Sequence, residues 1–165
     1  MSLDKRIGFI GGGQMCTALA GGMIQAGTVK AQNIIISDTY QPQLDKLEKT
    51  LGVETTQDNI AVVERSDIIL LAVKPNVVPN VISQIKSVYT ADKLIISICA
   101  GVSIETIEKN LDHKTPRVAR VMPNTPALYG AGASGFCLGA HAAAEDAALV
   151  EKLMGAVGLA MQVRT

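Results

Sequence analysis

The chain has 165 residues, of which 48% are apolar and 18% charged, and its 15 basic side chains balance its 15 acidic ones. This is enough apolar chain for one compact domain with a real core, and zero net charge gives no electrostatic case for nucleic acid or an anionic membrane surface as partner. Aromatic residues make up only 3%, which leaves little for base stacking, and no apolar stretch reaches the roughly 18–20 residues that span a bilayer.

The opening Met1-Ser2-Leu3-Asp4-Lys5-Arg6 has none of the layout of a signal peptide. Cys16, Cys99 and Cys137 are far apart and odd in number. They read as small buried residues in a reducing, cytoplasmic setting, and not as a disulfide framework or zinc site. His113 and His141 are unclustered, so no metal centre is expected.

The first expected strand, Arg6–Ile10, runs into Gly11-Gly12-Gly13 and then a helix over Gln14–Ala26. Strand, glycine turn and helix start is the arrangement that binds a dinucleotide pyrophosphate. Glycine lets the backbone approach the phosphate, and the free N–H groups of the helix N-terminus attract the anion. The fingerprint reads Gly11-x-Gly13-x-x-Cys16. Cysteine stands where glycine or alanine is usual, and a small side chain is what close helix–strand packing needs there. The alternative is a glycine turn with no ligand.

A second strand, Asn33–Ser37, ends at Asp38. An acid there is placed for the adenosine ribose hydroxyls and would repel a 2′-phosphate, a lean towards NADH over NADPH. Ser37 and Thr39 carry hydroxyls that suit a phosphate, and Asp38 has an alternative role as a helix cap. Helices follow over Gln41–Leu51 and Ile60–Arg65. The strand Asp67–Val73 then leads into Lys74-Pro75, where Lys74 is either a contact for cofactor or anionic substrate or an ordinary surface lysine. A helix over Val77–Val88, a strand over Leu94–Cys99, a helix over Ile104–Asn110 and a strand over Arg117–Met122 complete the alternation. Cys99 has no basic neighbour in sequence to make it a nucleophile.

The last third reads differently. Pro123 and Pro126 clamp Asn124-Thr125 into a loop that either presents amide and hydroxyl groups to a ligand or is only a stiffened turn. One more strand is expected before Gly139, a helix over Ala142–Val157, and a short final strand over Leu159–Val163. The Ile- and Val-rich strands are apolar on both faces, as in a covered parallel sheet. The whole reads as one dinucleotide-binding domain over 1–165: a doubly wound, mainly parallel α/β sheet of Rossmann type. No Ser-His-Asp set or paired carboxylates stand out, which suits chemistry carried by a cofactor.

Four segments together resemble pyrroline-5-carboxylate reductase, in the same order and spacing: Phe9-Ile10-Gly11-Gly12-Gly13-Gln14-Met15, Ala72-Val73-Lys74-Pro75, Ala100-Gly101-Val102 and Met122-Pro123-Asn124-Thr125-Pro126. The resemblance runs over essentially the whole chain. It implies reduction of 1-pyrroline-5-carboxylate to L-proline with NADPH or NADH. It implies a pyrophosphate site at Ile10, Gly11, Gly12, Gly13, Gln14 and Met15, and an adenosine end at Ser37, Asp38 and Asn59. Ala72, Val73, Lys74 and Pro75, with Ile98, Cys99 and Ala100, are expected to line the cofactor cleft, and Asn124 and Thr125 to lie near nicotinamide and substrate. The family also has a C-terminal helical domain that builds a homo-oligomer and supplies most substrate contacts. Its Ser-Gly-Ser-Gly-Pro-Ala-Tyr type segment has no counterpart in these residues. The expectation is a cofactor-binding half with little or no reductase activity alone. The rival readings are another NAD(P)-dependent dehydrogenase of the 3-hydroxyacid or prephenate type, and a non-catalytic nucleotide-binding domain.

Overall fold

The computed structural model describes residues 3–123, 132–156 and 158–162. In chain order the elements are β1 (Ile7–Ile10), α1 (Gln14–Gln25), β2 (Ile34–Ser37), α2 (Gln41–Leu51), β3 (Glu54–Thr56), α3 (Asn59–Arg65) and β4 (Ile68–Leu71). They continue with α4 (Val78–Ile85), β5 (Leu94–Ser97), α5 (Ile104–Leu111), β6 (Arg117–Pro123), β7 (Gly132–Leu138), α6 (Ala144–Gly155) and β8 (Gly158–Gln162). Short 3-10 turns at Ala31–Asn33 and Pro75–Val77 lead into β2 and α4.

The strands form one sheet in the order β3-β2-β1-β4-β5-β6-β7-β8. The first six pair in parallel. β7 runs antiparallel to β6, and β8 parallel to β7. Strand order reverses between β1 and β4, so their carboxyl ends open a crevice between the two halves of the sheet. That switch point is where ligands of open α/β sheets bind.

Every residue of β1, β2, β4 and β5 is buried. Helices cover both faces, so alternate side chains feed two separate cores. On one face Phe9, Ile36, Leu70 and Ile96 pack with Cys16, Leu19 and Met23 of α1 and with Leu153 of α6. On the other, Ile35, Ile69 and Ile95 pack with Val62, Ile82 and Ile107 of α3, α4 and α5. Gly8 brings α3 against β1: a Cβ there would stand 2.3 Å from Ser66 Oγ and 2.5 Å from Val62 Cγ1. No helix among the described residues is long and apolar enough to cross a membrane.

Most sequence expectations hold within a residue or two. Three differ. β3 has no apolar run to announce it, since its Glu-Thr-Thr is partly exposed at the sheet edge. The strand expected to end at Val73 stops at Leu71, because Ala72 and Val73 turn out over the crevice. The helix expected over Val77–Val88 is shorter: Val77 belongs to the 3-10 turn and the α-helix ends at Ile85.

Candidate functional site

A cleft of about 470 Å³ opens at the switch point, within the usual range for a small-molecule site. Its floor is the turn after β1. Gly11 has φ +102, and a Cβ there would lie 2.5 Å from the carbonyl oxygen of Ala72, so only glycine is tolerated. Gly13 is different: a Cβ there meets nothing within 4 Å. None of the described residues fills that space, and Gly13 lines the cleft there. Gly13 is also the N-cap residue of α1, with no side-chain cap and no acid in the first turn. The N–H groups that open α1 are therefore offered to an anion. Cys16 is fully buried against the sheet, where burial and the nearby Asp38 charge push its thiol far up. It is a packing residue, as its small size suggested.

Asp38 does not cap α2, whose N-cap residue is Tyr40 with no side-chain cap, and its carboxylate instead holds two backbone N–H groups. One carboxylate oxygen accepts from Gly12 N–H at 2.8 Å, and the other from Tyr40 N–H at 2.9 Å. It braces the glycine turn and, through Tyr40, the N-cap of α2. Gln43 Nε2 adds a second brace by donating to the Gly12 carbonyl at 2.6 Å.

From the buried end of β2 a side-chain chain crosses the cleft. Ser37 Oγ donates to Asn59 Oδ1 at 2.6 Å, and Asn59 Nδ2 donates to Gln84 Oε1 at 2.8 Å. β2, α3 and α4 are thus joined through three polar side chains that all line the cleft.

Of the residues expected from sequence, Ile10, Gly11, Gly13, Ser37, Asp38, Asn59, Ala72, Val73 and Lys74 line this cleft. Gly12 is buried beneath the turn, and Gln14 and Met15 begin α1 beside it. Pro75 lies in the turn that leads to α4. Ile98, Cys99 and Ala100 follow β5 at the same edge of the sheet but are not among the lining residues. The Cys99 thiol donates to the carbonyls of Val73 (3.2 Å) and Leu71 (3.4 Å), and burial raises its pKa. It is a packed thiol and no nucleophile. Asn124 and Thr125 lie outside the described residues. Lys74 is exposed and is the one cation among the described lining residues.

Sequence reasoning missed the far wall: Val77, Asn80, Val81 and Gln84. Asn80, Val81 and Gln84 lie on one stripe of α4, and Val77 ends the 3-10 turn just before it. A polar pair four apart, Asn80 and Gln84, was the available signal, but only the tertiary fold turns that stripe to the cleft.

Residues 6–101 match the family model described as NADP oxidoreductase, coenzyme F420-dependent. The chain belongs to this family. That matched span runs from the start of β1 past β5 and holds every lining residue named above. Beyond the family model, the chain is 45% identical to pyrroline-5-carboxylate reductase of Methanosarcina acetivorans, over 97% of its own length and 59% of that protein's. It superposes on the pyrroline-5-carboxylate reductase structure from Coxiella burnetii with a TM-score of 0.93 at 35% identity, covering 99% of this chain and 60% of that one. A Plasmodium falciparum pyrroline carboxylate reductase solved with NADP bound gives a TM-score of 0.86 at 30% identity, with 98% and 58% covered. The chain thus spans about three-fifths of the length of the relatives it matches.

Proposed function

We propose that this chain is the dinucleotide-binding part of a pyrroline-5-carboxylate reductase, which reduces 1-pyrroline-5-carboxylate to L-proline with NADPH or NADH. The observation that carries the proposal is the space kept open over Gly13 at the uncapped N-terminus of α1, at the switch point of the sheet. Likeness to the reductases over nearly the whole chain narrows the reaction.

In this reading Gly11, Gly13 and the first N–H groups of α1 (Gln14, Met15) hold the pyrophosphate. Gly12 and Asp38 keep that turn in shape. Ser37 and Asn59 border the adenosine, and Ala72 to Pro75 steer the cofactor along the carboxyl edge towards Ile98–Ala100. Asn124 and Thr125, which follow β6, meet the nicotinamide and substrate. When bound, NAD(P)H would supply a hydride to the carbon of the N-protonated imine, giving the secondary amine and NAD(P)+. The chain's part is to hold donor and acceptor carbons within about 3–3.5 Å. Lys74 is the cation here for a carboxylate or phosphate. With its three cysteines free and buried, the protein belongs in the reducing cytoplasm. The complete enzyme is a homo-oligomer acting on a small molecule, and these 165 residues alone turn over little.

A chimera tests the function. This chain replaces the matching part of the Methanosarcina acetivorans reductase. The chimera is expected to oxidise NAD(P)H in the presence of 1-pyrroline-5-carboxylate and to leave NAD(P)+ unreduced in the presence of prephenate. A folded chimera that binds NADPH yet leaves 1-pyrroline-5-carboxylate unreduced would overturn the proposal.

A further inference from the structure

We propose that a second pocket, between α5 and the β6–β7 pair, binds a small apolar amino acid as its zwitterion. The ligand class is read from that pocket alone. Only the choice of L-proline as a probe rests on the function proposed above.

The pocket has a volume of about 340 Å³ and shares no lining residue with the cleft at the switch point. Strand register sets one wall. Arg120 of β6 stands opposite Cys137 of β7, so the two side chains share one face of the sheet. Val118 lies on that face too, and it packs with Ile104 of α5. Glu108 follows Ile104 by one helical turn and sets the other wall. Gly139, just past β7, lets α5 come close. A Cβ there would stand 2.9 Å from Glu108 Oε2 and 3.0 Å from Ile104 Cγ2. Ile104 and Cys137 are buried and give the pocket an apolar floor.

Two atoms here lack what a buried polar atom ordinarily has. Arg120 Nε and Glu108 Oε2 are both buried, and neither has a hydrogen-bond partner among the described residues. Nor does any ion pair among those residues join Arg120 to Glu108 or to Glu105, which also lines the pocket. Buried charged groups are as a rule paired, because stripping them of water is costly. Opposite charges held apart around one cavity define what fits between them. An anion would answer Arg120 but meet two carboxylates. A cation would answer the carboxylates but meet the guanidinium. A molecule with one charge of each sign answers both. Its carboxylate accepts from Arg120, and its ammonium donates to Glu108. The floor of Ile104 and Cys137 then takes a small apolar side chain.

The isotope-labelled chain is titrated at neutral pH with L-proline, L-valine, acetate and pyrrolidine, and its amide resonances are followed. The two amino acids are expected to shift the amides of Glu105, Cys137 and Gly139 along a saturating curve and to leave those of Gly11 and Gly13 in place. Acetate and pyrrolidinium carry one charge each and should bind at least tenfold more weakly. Arg120→Gln and Glu108→Gln should each weaken L-proline about tenfold or more, with circular dichroism to check that they fold. If a variant does not fold, the ligand series on the wild type decides. Acetate that binds as tightly as L-proline would make this an anion site and overturn the assignment. So would the absence of any saturable shift at these amides up to about 100 mM of either amino acid, which would mean that the pocket holds water only. NADPH, added last, tests the other cleft separately. Its failure to bind would bring down the dinucleotide reading and leave this site standing.

Discussion

Gly11 and Gly13 stand two residues apart and do different work. Gly11 serves the protein, because its backbone is left-handed and the Ala72 carbonyl leaves no room for a Cβ. Gly13 is the position proposed to serve a ligand, because among the described residues nothing comes within 4 Å of the place its Cβ would take. Alanine at the two positions should therefore fail in different ways. Gly11→Ala should lower stability by about 1–3 kcal/mol from strain and overpacking, seen as a drop in Tm. Gly13→Ala should change stability by only the few tenths to about 1 kcal/mol expected at an N-cap, yet lose dinucleotide binding by tenfold or more. Thermal melts with and without NADPH separate the two. Equal losses of stability at both positions would mean that the space over Gly13 is structural.

At the scale of elements, α6 and β6 are joined by an ion pair whose carboxylate is buried. Arg117 donates through Nε to Asp146 Oδ2 at 3.2 Å and through a second nitrogen to Oδ1, and Ala143 N–H donates to the same carboxylate at 2.9 Å. Asp146 is fully buried and Arg117 only partly. Burial alone would push the Asp146 carboxyl up, but the hydrogen bonds from Arg117 and Ala143 outweigh it and hold the pKa below the usual value. A carboxyl lowered in the folded state adds stability above its unfolded pKa, about 3.9, and loses it as pH falls through the folded value. Asp146→Ala strands Arg117 and should cost about 3 kcal/mol at neutral pH. Denaturant melts should find that gap constant from about pH 5 to 8 and closing only below about pH 4. A gap already shrinking at pH 6 would mean that another group governs it.

Elements also mark what the sequence could tell. Strands buried on both faces announce themselves as Ile-Ile-Ile and Ile-Ile-Leu-Leu runs, and the glycine turn sits where such a fold needs it. β3 stayed hidden because an edge strand of three partly exposed residues has no apolar pattern to read. The antiparallel turn of β7 against β6 was hidden for another reason: strand direction depends on how a connection travels, not on composition. On the site, the residues of the near wall were legible because they follow strands directly. Gln84 was not. Its place in the cleft comes from a hydrogen-bond chain that starts 47 positions earlier at Ser37, and helix periodicity carries no trace of that.

At the scale of the whole molecule, one sheet keeps two cores apart and opens its cleft at the single reversal of strand order in the parallel part. In the proposed function this cleft holds a dinucleotide with its pyrophosphate on the N-terminus of α1. Nuclear magnetic resonance of the isotope-labelled chain during an NADPH titration tests it most directly. The backbone amides of Gly11, Gly13, Gln14 and Met15 and the side-chain amides of Asn59 and Gln84 are expected to shift together, along one saturating curve. Saturable binding that leaves the α1 amides in place while others move, or no shift anywhere at millimolar NADPH, would contradict the account.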